Sequence, residues 1–180
     1  MRLWPSLVLA LVACGGGSSD TVDAPAPDSG YDTAKCLIKG LYGDLGTVTG
    51  VAGTSTDGSK TITVNLDPGP PGKDDFFLKL TAGKGVFAGG LAPGTFTITG
   101  PDGNFLTCGL CTNLIADIKP TTGPTKFYFA DSGTVTLSSV AAPFSGSAQN
   151  LLFFEIDIMT GNKVPGGCMA KIDAVTFSTP

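Results

Sequence analysis

The sequence predicts an all-β domain, built as an antiparallel β-sandwich or jelly roll, with a closed barrel as the alternative. From Lys35 onward, apolar and polar residues alternate with a period of two, and glycine-rich breaks recur at short intervals. No segment has the period of an amphipathic helix. An alternating strand has one buried and one solvated face, which is typical of antiparallel sheets.

About nine or ten strands are expected from this pattern. In the run from Lys60 to Leu66, Ile62 and Val64 share one face and the threonines share the other. The expected strands cover residues 45–51, 60–66, 76–81, 95–99, 105–108, 112–118, 126–130, 134–140, 144–158 and 169–177. Asp57-Gly58 is predicted to form a hairpin turn, and residues 101–104, Pro-Asp-Gly-Asn, a second turn.

The run from Leu151 to Ile158 does not alternate in this way. Leu151 and Phe153 would fall on the same face as Glu155 and Asp157. Either both faces of this strand are buried, as in the central strands of packed sheets, or the strand exposes an apolar patch. We expect burial on both faces.

The first thirteen residues have the organisation of a secretory signal peptide, in which a positive charge at Arg2 precedes an apolar run. This run is too short to cross a bilayer as a helix, which needs about 20 apolar residues. Leu11-Val12-Ala13-Cys14 resembles the lipobox of bacterial lipoproteins. The resemblance implies cleavage before Cys14 and attachment of lipid to that residue. The alternatives are an ordinary signal cut at a nearby alanine, or a buried apolar strand.

Lipid on Cys14 would hold the mature chain at a membrane, because each buried methylene contributes about 0.8 kcal/mol. Gly15 follows the cysteine. By resemblance to the sorting of Gram-negative lipoproteins, it implies the outer membrane, on either the periplasmic or the surface face. Residues 14–33 are rich in glycine, serine, proline and aspartate, which predicts a disordered tether. Residues 34–180 are predicted to form a single β-domain.

The absent residue types exclude several functions. The chain has no histidine, so Ser-His-Asp sites, Cys-His sites and histidine-ligated metal sites cannot be built. Its only arginine and only tryptophan, Arg2 and Trp4, lie in the predicted signal peptide. The net charge of −4 and the lack of arginine disfavour nucleic-acid binding. Tryptophan is the side chain best suited to stack on sugars or cations, and the chain after the predicted signal peptide contains none. The composition favours a non-enzymatic domain without a cofactor.

Four cysteines follow Cys14, namely Cys36, Cys108, Cys111 and Cys168. In an oxidising compartment they predict two disulfides, for which three pairings exist. The two ends of a domain usually lie close together, so we expect Cys36 to bond with Cys168 and Cys108 with Cys111. Closing a loop of about 130 residues would stabilise the fold by about 4 to 5 kcal/mol.

Cys108-Gly109-Leu110-Cys111 is a C-x-x-C segment, so a role in thiol-disulfide exchange is an alternative to a structural bridge. Redox motifs usually place the first cysteine at a helix N-terminus, which lowers its pKa. Here the flanking residues 104–106 and 112–115 are predicted strand, so we favour the structural bridge. A zinc site built from all four cysteines is disfavoured by the compartment and by the lack of a second C-x-x-C.

Carboxylates suggest two further candidates. Asp67, Asp74 and Asp75 lie in and beside a proline-rich loop and could bind Ca²⁺. The loop lacks acidic residues at alternate positions, which a loop that wraps around one calcium ion needs. We favour a solvated turn over a calcium site. Glu155 and Asp157 could act as a hydrolase pair, but alternation places both in a solvent-facing position, so hydrolase activity is disfavoured.

Several features together resemble the uncharacterised glycine- and threonine-rich β-type lipoproteins of Gram-negative bacteria. They are the lipobox, the short tether, the Cys-Gly-x-Cys segment, a Gly-Thr-Val-Thr strand from Gly133, a Phe-Ser-Gly strand from Phe144, and Gly167-Cys168 before the final strand. The resemblance implies a lipoprotein of the cell envelope and transfers no catalytic residue. We expect a non-enzymatic binding or structural module with a protein or glycan partner. A thiol-disulfide protein and a calcium-dependent binding module are the alternatives.

Overall fold

The computed structural model describes Cys36 and residues 40–66, 73–119 and 121–180. The regular structure of these residues consists of nine strands and two 3-10 turns, Gly85–Phe87 and Gly100–Gly103. The strands are β1 (Leu41–Thr49), β2 (Val51–Thr54), β3 (Lys60–Asn65), β4 (Lys73–Leu80), β5 (Gly94–Thr97), β6 (Leu110–Ile118), β7 (Lys126–Ser139), β8 (Ser145–Ile156) and β9 (Met169–Ser178). The predicted all-β class is confirmed.

The nine strands belong to one hydrogen-bonded sheet, which curls into a half-barrel. Its order is β1-β9-β8-β7-β6-β4-β3-β2, and β5 pairs with the second half of β7. The predicted sandwich or jelly roll is not confirmed, because the described strands do not separate into two sheets. The prediction of a wholly antiparallel sheet is wrong at one edge, where β1 and β9 run parallel.

Gly50 explains the parallel pair. It joins β1 and β2, which follow each other in the chain but form opposite edges of the sheet. The Gly50 N–H donates to the carbonyl oxygen of Ser178 in β9 at 2.8 Å, while Val51 pairs with Thr63 in β3. If β1 and β2 are counted as one bent strand, the path β1/β2, β9, β8, β7, β6, β4, β3 contains seven strands. This path returns to the strand from which it starts. Antiparallel neighbours must alternate in direction, and seven strands cannot alternate all the way around such a path, so at least one neighbouring pair must be parallel.

Some strand boundaries differ from the prediction. Residues 105–108 form a turn instead of a strand, because the N–H groups of Thr107 and Cys108 both donate to the carbonyl oxygen of Asn104. The predicted strand 45–51 is divided at Gly50 between β1 and β2.

Two predicted strands, 126–130 and 134–140, are one strand, because β7 continues through Gly133 with a shifted register against β8. The two predicted turns are present. Gly58 donates to the carbonyl oxygen of Ser55 in the first, and Asn104 donates to the carbonyl oxygen of Pro101 in the second.

The hydrophobic core lies on the inner face of the curled sheet. In β4 every second side chain points into it, as the alternating pattern predicts. The rings of Phe76 in β4 and Phe177 in β9 lie 6.3 Å apart across this core. The largest fully buried side chains are Tyr128, Phe76, Phe87, Phe153, Phe177, Ile62, Leu78, Leu80, Leu110, Leu114, Leu137 and Leu151. Each such apolar side chain contributes about 1.5 to 3 kcal/mol, so this face holds the sheet curled.

From Leu151 to Ile156 the run is buried or half-buried on both faces, whereas Asp157, as predicted, and Ile158 are exposed. Leu151 and Phe153 are fully buried, while Leu152 and Phe154 are half-buried. The prediction for Glu155 is wrong: its side chain is 14% exposed and pairs with the Lys126 amine at 3.0 Å. The carboxylate also accepts the N–H of Cys168. Glu155 lies between Tyr128 in β7 and Cys168, and Lys126 compensates its charge.

The predicted signal peptide (1–13), Cys14 and the predicted tether (14–33) lie outside the described residues, as does Asp67. Among the described residues, no helix is long and apolar enough to cross a membrane. The described part of the predicted domain 34–180 forms the single sheet given above.

Candidate binding face

Apolar side chains cover a second face of the sheet, turned away from the core. We call this the outer face, and it is formed by β4, β6, β7 and β8. Directly paired residues build it in two rows across the strands. One row is Phe77, Asn113, Phe129 and Phe154, and the next is Asp75, Ile115, Phe127 and Ile156. The outer face is therefore mainly aromatic and aliphatic, where alternation predicts polar residues.

A loop between β5 and β6, which we call the covering loop, lies over this face. Within it the ring of Phe105 packs edge-on against the ring of Phe129, with the centroids 5.8 Å apart. Phe105 and Phe127 pack against a small buried cluster formed by Cys108, Cys111, Phe129 and Ile156. This cluster is separate from the main core, so the loop and the outer face have their own apolar contact.

Asp102 fixes the conformation of this loop. Its side chain is buried, and Oδ1 accepts the N–H groups of Gly109 at 2.9 Å and Leu110 at 2.7 Å. Oδ2 accepts the N–H of Val86 at 2.9 Å, from the 3-10 turn beyond β4. Hydrogen bonds to a carboxylate are stronger than those between neutral groups. Asp102 thus ties the C-x-x-C segment to a distant turn. The sequence identified it only as a turn residue.

The wide cleft of the outer face, of about 380 Å³, lies on one side of Phe105. It is lined by Ser55, Phe77, Lys79, Phe105, Leu106, Cys111, Asn113, Ile115, Phe127 and Ile158. Lys79 at its rim pairs with Asp57 at 2.7 Å. The hydrogen bond from Lys79, together with the one from the Ser59 backbone, lowers the pKa of Asp57 to about 2. The cleft has an apolar floor and a charged rim.

The narrow cleft, of about 190 Å³, lies on the other side of Phe105. It is lined by Gly103, Asn104, Phe105, Phe129, Asp131, Phe154, Ile156, Gly161, Asn162 and Lys163. The Lys163 amine lies 2.7 Å from a carboxylate oxygen of Asp131 and 4.0 Å from the centroid of the Phe154 ring. One wall therefore combines an aromatic face with a carboxylate.

Exposed apolar side chains border the wide cleft. Leu106, in the covering loop, is 57% exposed, and Ile158 and Met159, in the loop after β8, are 40% and 85% exposed. The two loops approach each other, since a Cβ on Gly161 would lie 3.0 Å from the Leu106 side chain. Leu106 and Ile158 both line the wide cleft and form an apolar lip beside it. Exposed apolar groups that cluster beside a groove are typical of interaction sites.

The structure pairs the cysteines as the sequence predicts. Cys36 bonds with Cys168, across 132 positions, with the Cα atoms 5.5 Å apart. Cys108 bonds with Cys111, with the Cα atoms 5.2 Å apart. The first bridge links the start of the described fold to the residue before β9. The second joins the end of the loop between β5 and β6 to the start of β6.

The surroundings of the C-x-x-C segment differ from those of a redox motif. Cys111 lies in β6, and Cys108 follows a turn instead of starting a helix. The prediction of strand at residues 104–106 is wrong, but the helix N-terminus that would lower the thiol pKa is not present there. Cys108 and Cys111 are both buried. This arrangement favours a structural bridge.

Asp74 and Asp75, two of the three candidate calcium ligands, point to opposite faces of β4. Asp74 is buried and accepts a hydrogen bond from the Tyr42 hydroxyl at 2.8 Å. Asp75 lies on the outer face, where Asn65 donates to it at 3.2 Å, and burial raises its pKa. The two carboxylates therefore cannot hold one ion together. In the described part of the chain, no group of three or more His, Cys, Asp or Glu residues is placed to hold a metal.

Sequence reasoning did not identify the outer face, although one signal was available. Apolar residues stand at consecutive positions in Phe76-Phe77, Phe127-Tyr128-Phe129 and Leu151-Leu152-Phe153-Phe154. In a strand, consecutive residues point to opposite faces, so each of these runs places apolar groups on both. Only the last run was interpreted in this way. The three runs lie on β4, β7 and β8; β7 and β8 are neighbours in the sheet, and β6 lies between β7 and β4.

The chain was compared with protein-family models, with curated proteins and with solved structures, and no match was found in any of the three comparisons.

Proposed function

We propose that this protein is a lipoprotein of the bacterial outer membrane whose β-domain is a non-enzymatic binding module. The wide cleft carries the binding part of the proposal, because it combines an apolar floor with an exposed apolar lip. The partner we propose is a protein segment that inserts apolar side chains into this cleft. The lipobox at residues 11–14 supports the anchoring part.

The lining of the wide cleft favours a protein partner over a glycan. Its floor consists of Phe77, Ile115 and Phe127, and the polar side chains at its edge are few. Asn113 is buried, and Lys79 is already paired with Asp57. A sugar would need several hydrogen bonds to replace its hydration, whereas an apolar side chain needs only contact area. Burying two such side chains would supply about 3 to 6 kcal/mol, in the range of weak complexes.

A structural role for the disulfides fits this proposal better than thiol-disulfide exchange. Attack by an external thiolate needs access to a sulfur, and Cys108 is only 3% exposed. The bridge instead joins the end of the loop that carries Phe105 and Leu106 to the start of β6. We therefore assign the C-x-x-C segment to the support of the cleft.

The anchoring part is tested with Cys14→Ser in a bacterial host supplied with labelled palmitate. The unchanged chain should incorporate label and sediment with membranes, whereas Cys14→Ser should do neither. Cys111→Ser is the matched control, because it also removes one cysteine but should keep the label. Equal labelling of the Cys14→Ser chain would contradict the anchor.

The binding part is tested with a fluorescent peptide of alternating leucine and serine, added to the full chain carrying Cys14→Ser. Leu106→Ser and Ile158→Ser should each weaken binding about fivefold, because each removes about 1 kcal/mol of apolar contact. Val51→Ser is the control, since Val51 is 71% exposed and does not line the wide cleft. Absence of binding up to about 1 mM peptide, or equal weakening by the control, would refute the proposed site.

A further inference from the structure

The narrow cleft contains a cation supplied by the chain itself. Lys163 brings its amine 2.7 Å from the carboxylate of Asp131 and 4.0 Å from the centroid of the Phe154 ring. A ring face attracts a cation through its quadrupole, and a carboxylate attracts it through its charge. The two groups therefore form a site whose chemistry suits an alkylammonium ion.

We propose that the narrow cleft binds an organic ammonium group of a ligand, and that Lys163 occupies the cation position when the ligand is absent. This inference rests on the proposed function, because it names a ligand class for one part of the same outer face. Phe105 and Phe129 supply further aromatic walls beside Phe154. A cluster of aromatic rings beside a carboxylate is the arrangement that recognises quaternary and alkylated amines.

The side chain of Lys163 can leave the site without disturbing the strand beside it. Its backbone is held by a bridge to Ile156, and the following residue, Val164, donates to the carbonyl oxygen of Glu155 at 2.9 Å. The side chains of Lys163 and Asp131 are 53% and 40% exposed. Exposed ion pairs of this kind are weak and are screened by salt. A ligand cation can therefore replace the amine at little cost, while Phe154 and Asp131 stay in place.

The charge pattern selects the sign of the ligand. Asp131 would repel an anionic ligand, and Lys163 neutralises the site only while it remains paired. A neutral apolar ligand would gain contact with the rings but would leave the carboxylate without a counter-charge once Lys163 moved. A cation gains both interactions, so it is the class of ligand that displaces the lysine.

The test uses the full chain carrying Cys14→Ser and two probes, tetramethylammonium and butylammonium, at constant ionic strength with sodium as reference. Binding is followed by the NMR shifts of the Phe154 and Phe105 rings. Both probes should bind and sodium should not. Lys163→Met should bind them more tightly, by up to about fivefold, because the internal competitor is gone. Asp131→Asn should reduce binding to the level of sodium.

Lys79→Met is the matched control, because it breaks the ion pair of the wide cleft and leaves the narrow cleft unchanged. The inference is overturned if Lys163→Met binds no more tightly than the unchanged chain, or if Asp131→Asn keeps full binding. The leucine-serine peptide separates the two proposals. Peptide binding without ammonium binding refutes this inference alone, and ammonium binding without peptide binding refutes only the proposed partner of the wide cleft.

Discussion

Asp102 holds Gly109 by a hydrogen bond of 2.9 Å between its carboxylate Oδ1 and the backbone N–H of Gly109. The same oxygen accepts the N–H of Leu110, and Oδ2 accepts the N–H of Val86. Three backbone donors therefore depend on one buried side chain. The covering loop of the outer face keeps its shape through this contact and through the neighbouring disulfide.

Asp102→Asn should lower the free energy of unfolding by about 2 to 4 kcal/mol, because an amide cannot replace a carboxylate that accepts three hydrogen bonds. Urea unfolding measures this change through the midpoint. Asp173→Asn is the matched control: Asp173 is exposed and forms an ion pair with Lys171 at the surface, so the change should stay within about 0.5 kcal/mol. Equal stability of the two variants would show that Asp102 does not support the loop.

Gly109→Ala should destabilise the fold by about 1 to 3 kcal/mol through overpacking. A Cβ at this position would collide with the carbonyl oxygen of Lys84, which is backbone and cannot rotate away. Gly89→Ala is the control, because a Cβ there meets no atom within 4 Å. Thermal melts of both variants test the expectation, and a melt of Gly109→Ala that matches Gly89→Ala would contradict it.

The two disulfides should contribute unequally to stability. Cys36–Cys168 closes 132 positions of chain, whereas Cys108–Cys111 closes only three. In the chain-entropy model, replacing both partners of the long bridge by serine should cost about 5 kcal/mol, and the same change in the short bridge about 2 kcal/mol. Urea unfolding of the two double variants measures the difference. A larger loss from the short bridge would contradict the entropic explanation.

Tyr128 should make the fold less stable at alkaline pH. Burial, followed by the charges of Glu155 and Asp74, raises the pKa of its hydroxyl, which donates to the carbonyl oxygen of Cys36 at 2.7 Å. Because the pKa is higher in the folded state, the protonated form stabilises the fold. This contribution is complete below the ordinary tyrosine pKa of 10.0 and decreases as the pH rises above it.

Tyr128→Phe tests this expectation. At pH 8 the variant should be less stable by about 1 kcal/mol, because the hydrogen bond to Cys36 is lost. Above pH 10 the difference should shrink by up to about 1.4 kcal/mol per pH unit, since only the unchanged chain must retain the proton. Unfolding measured from pH 8 to about pH 11 gives both curves. Parallel curves would show that Tyr128 ionises as easily in the folded as in the unfolded chain.

Alternation predicted most strands because it depends on local geometry alone. The run around Ile62 and Val64 and the turn at Gly58 are present as expected. Alternation could not reveal that Gly50 divides one strand between two edges of the sheet, because β9, the partner of β1, is distant in sequence, whereas β2 pairs with β3, the next strand of the chain. The number of sheets and the parallel pair follow from that division.

The candidate site was predictable only in part. The cysteine pairing followed from the closeness of the domain ends. Asp102 could be identified as a turn residue but not as an acceptor of Gly109, because its donors come from elements on either side of it. Glu155 was assigned to solvent because the sequence does not show that Lys126 lies beside it.

The sequence by itself determined the β class, the approximate number of strands and the exclusion of histidine chemistry, and it favoured one of the three possible cysteine pairings. Each depends on composition, on a two-residue period or on chain ends. Only the tertiary structure decided that the sheet is single and curled and that its outer face carries clefts. It also decided that Lys163 lies against Phe154 and Asp131. These features depend on which strands, distant in sequence, lie side by side in the sheet. That arrangement is decided by the burial of the apolar side chains on the whole inner face.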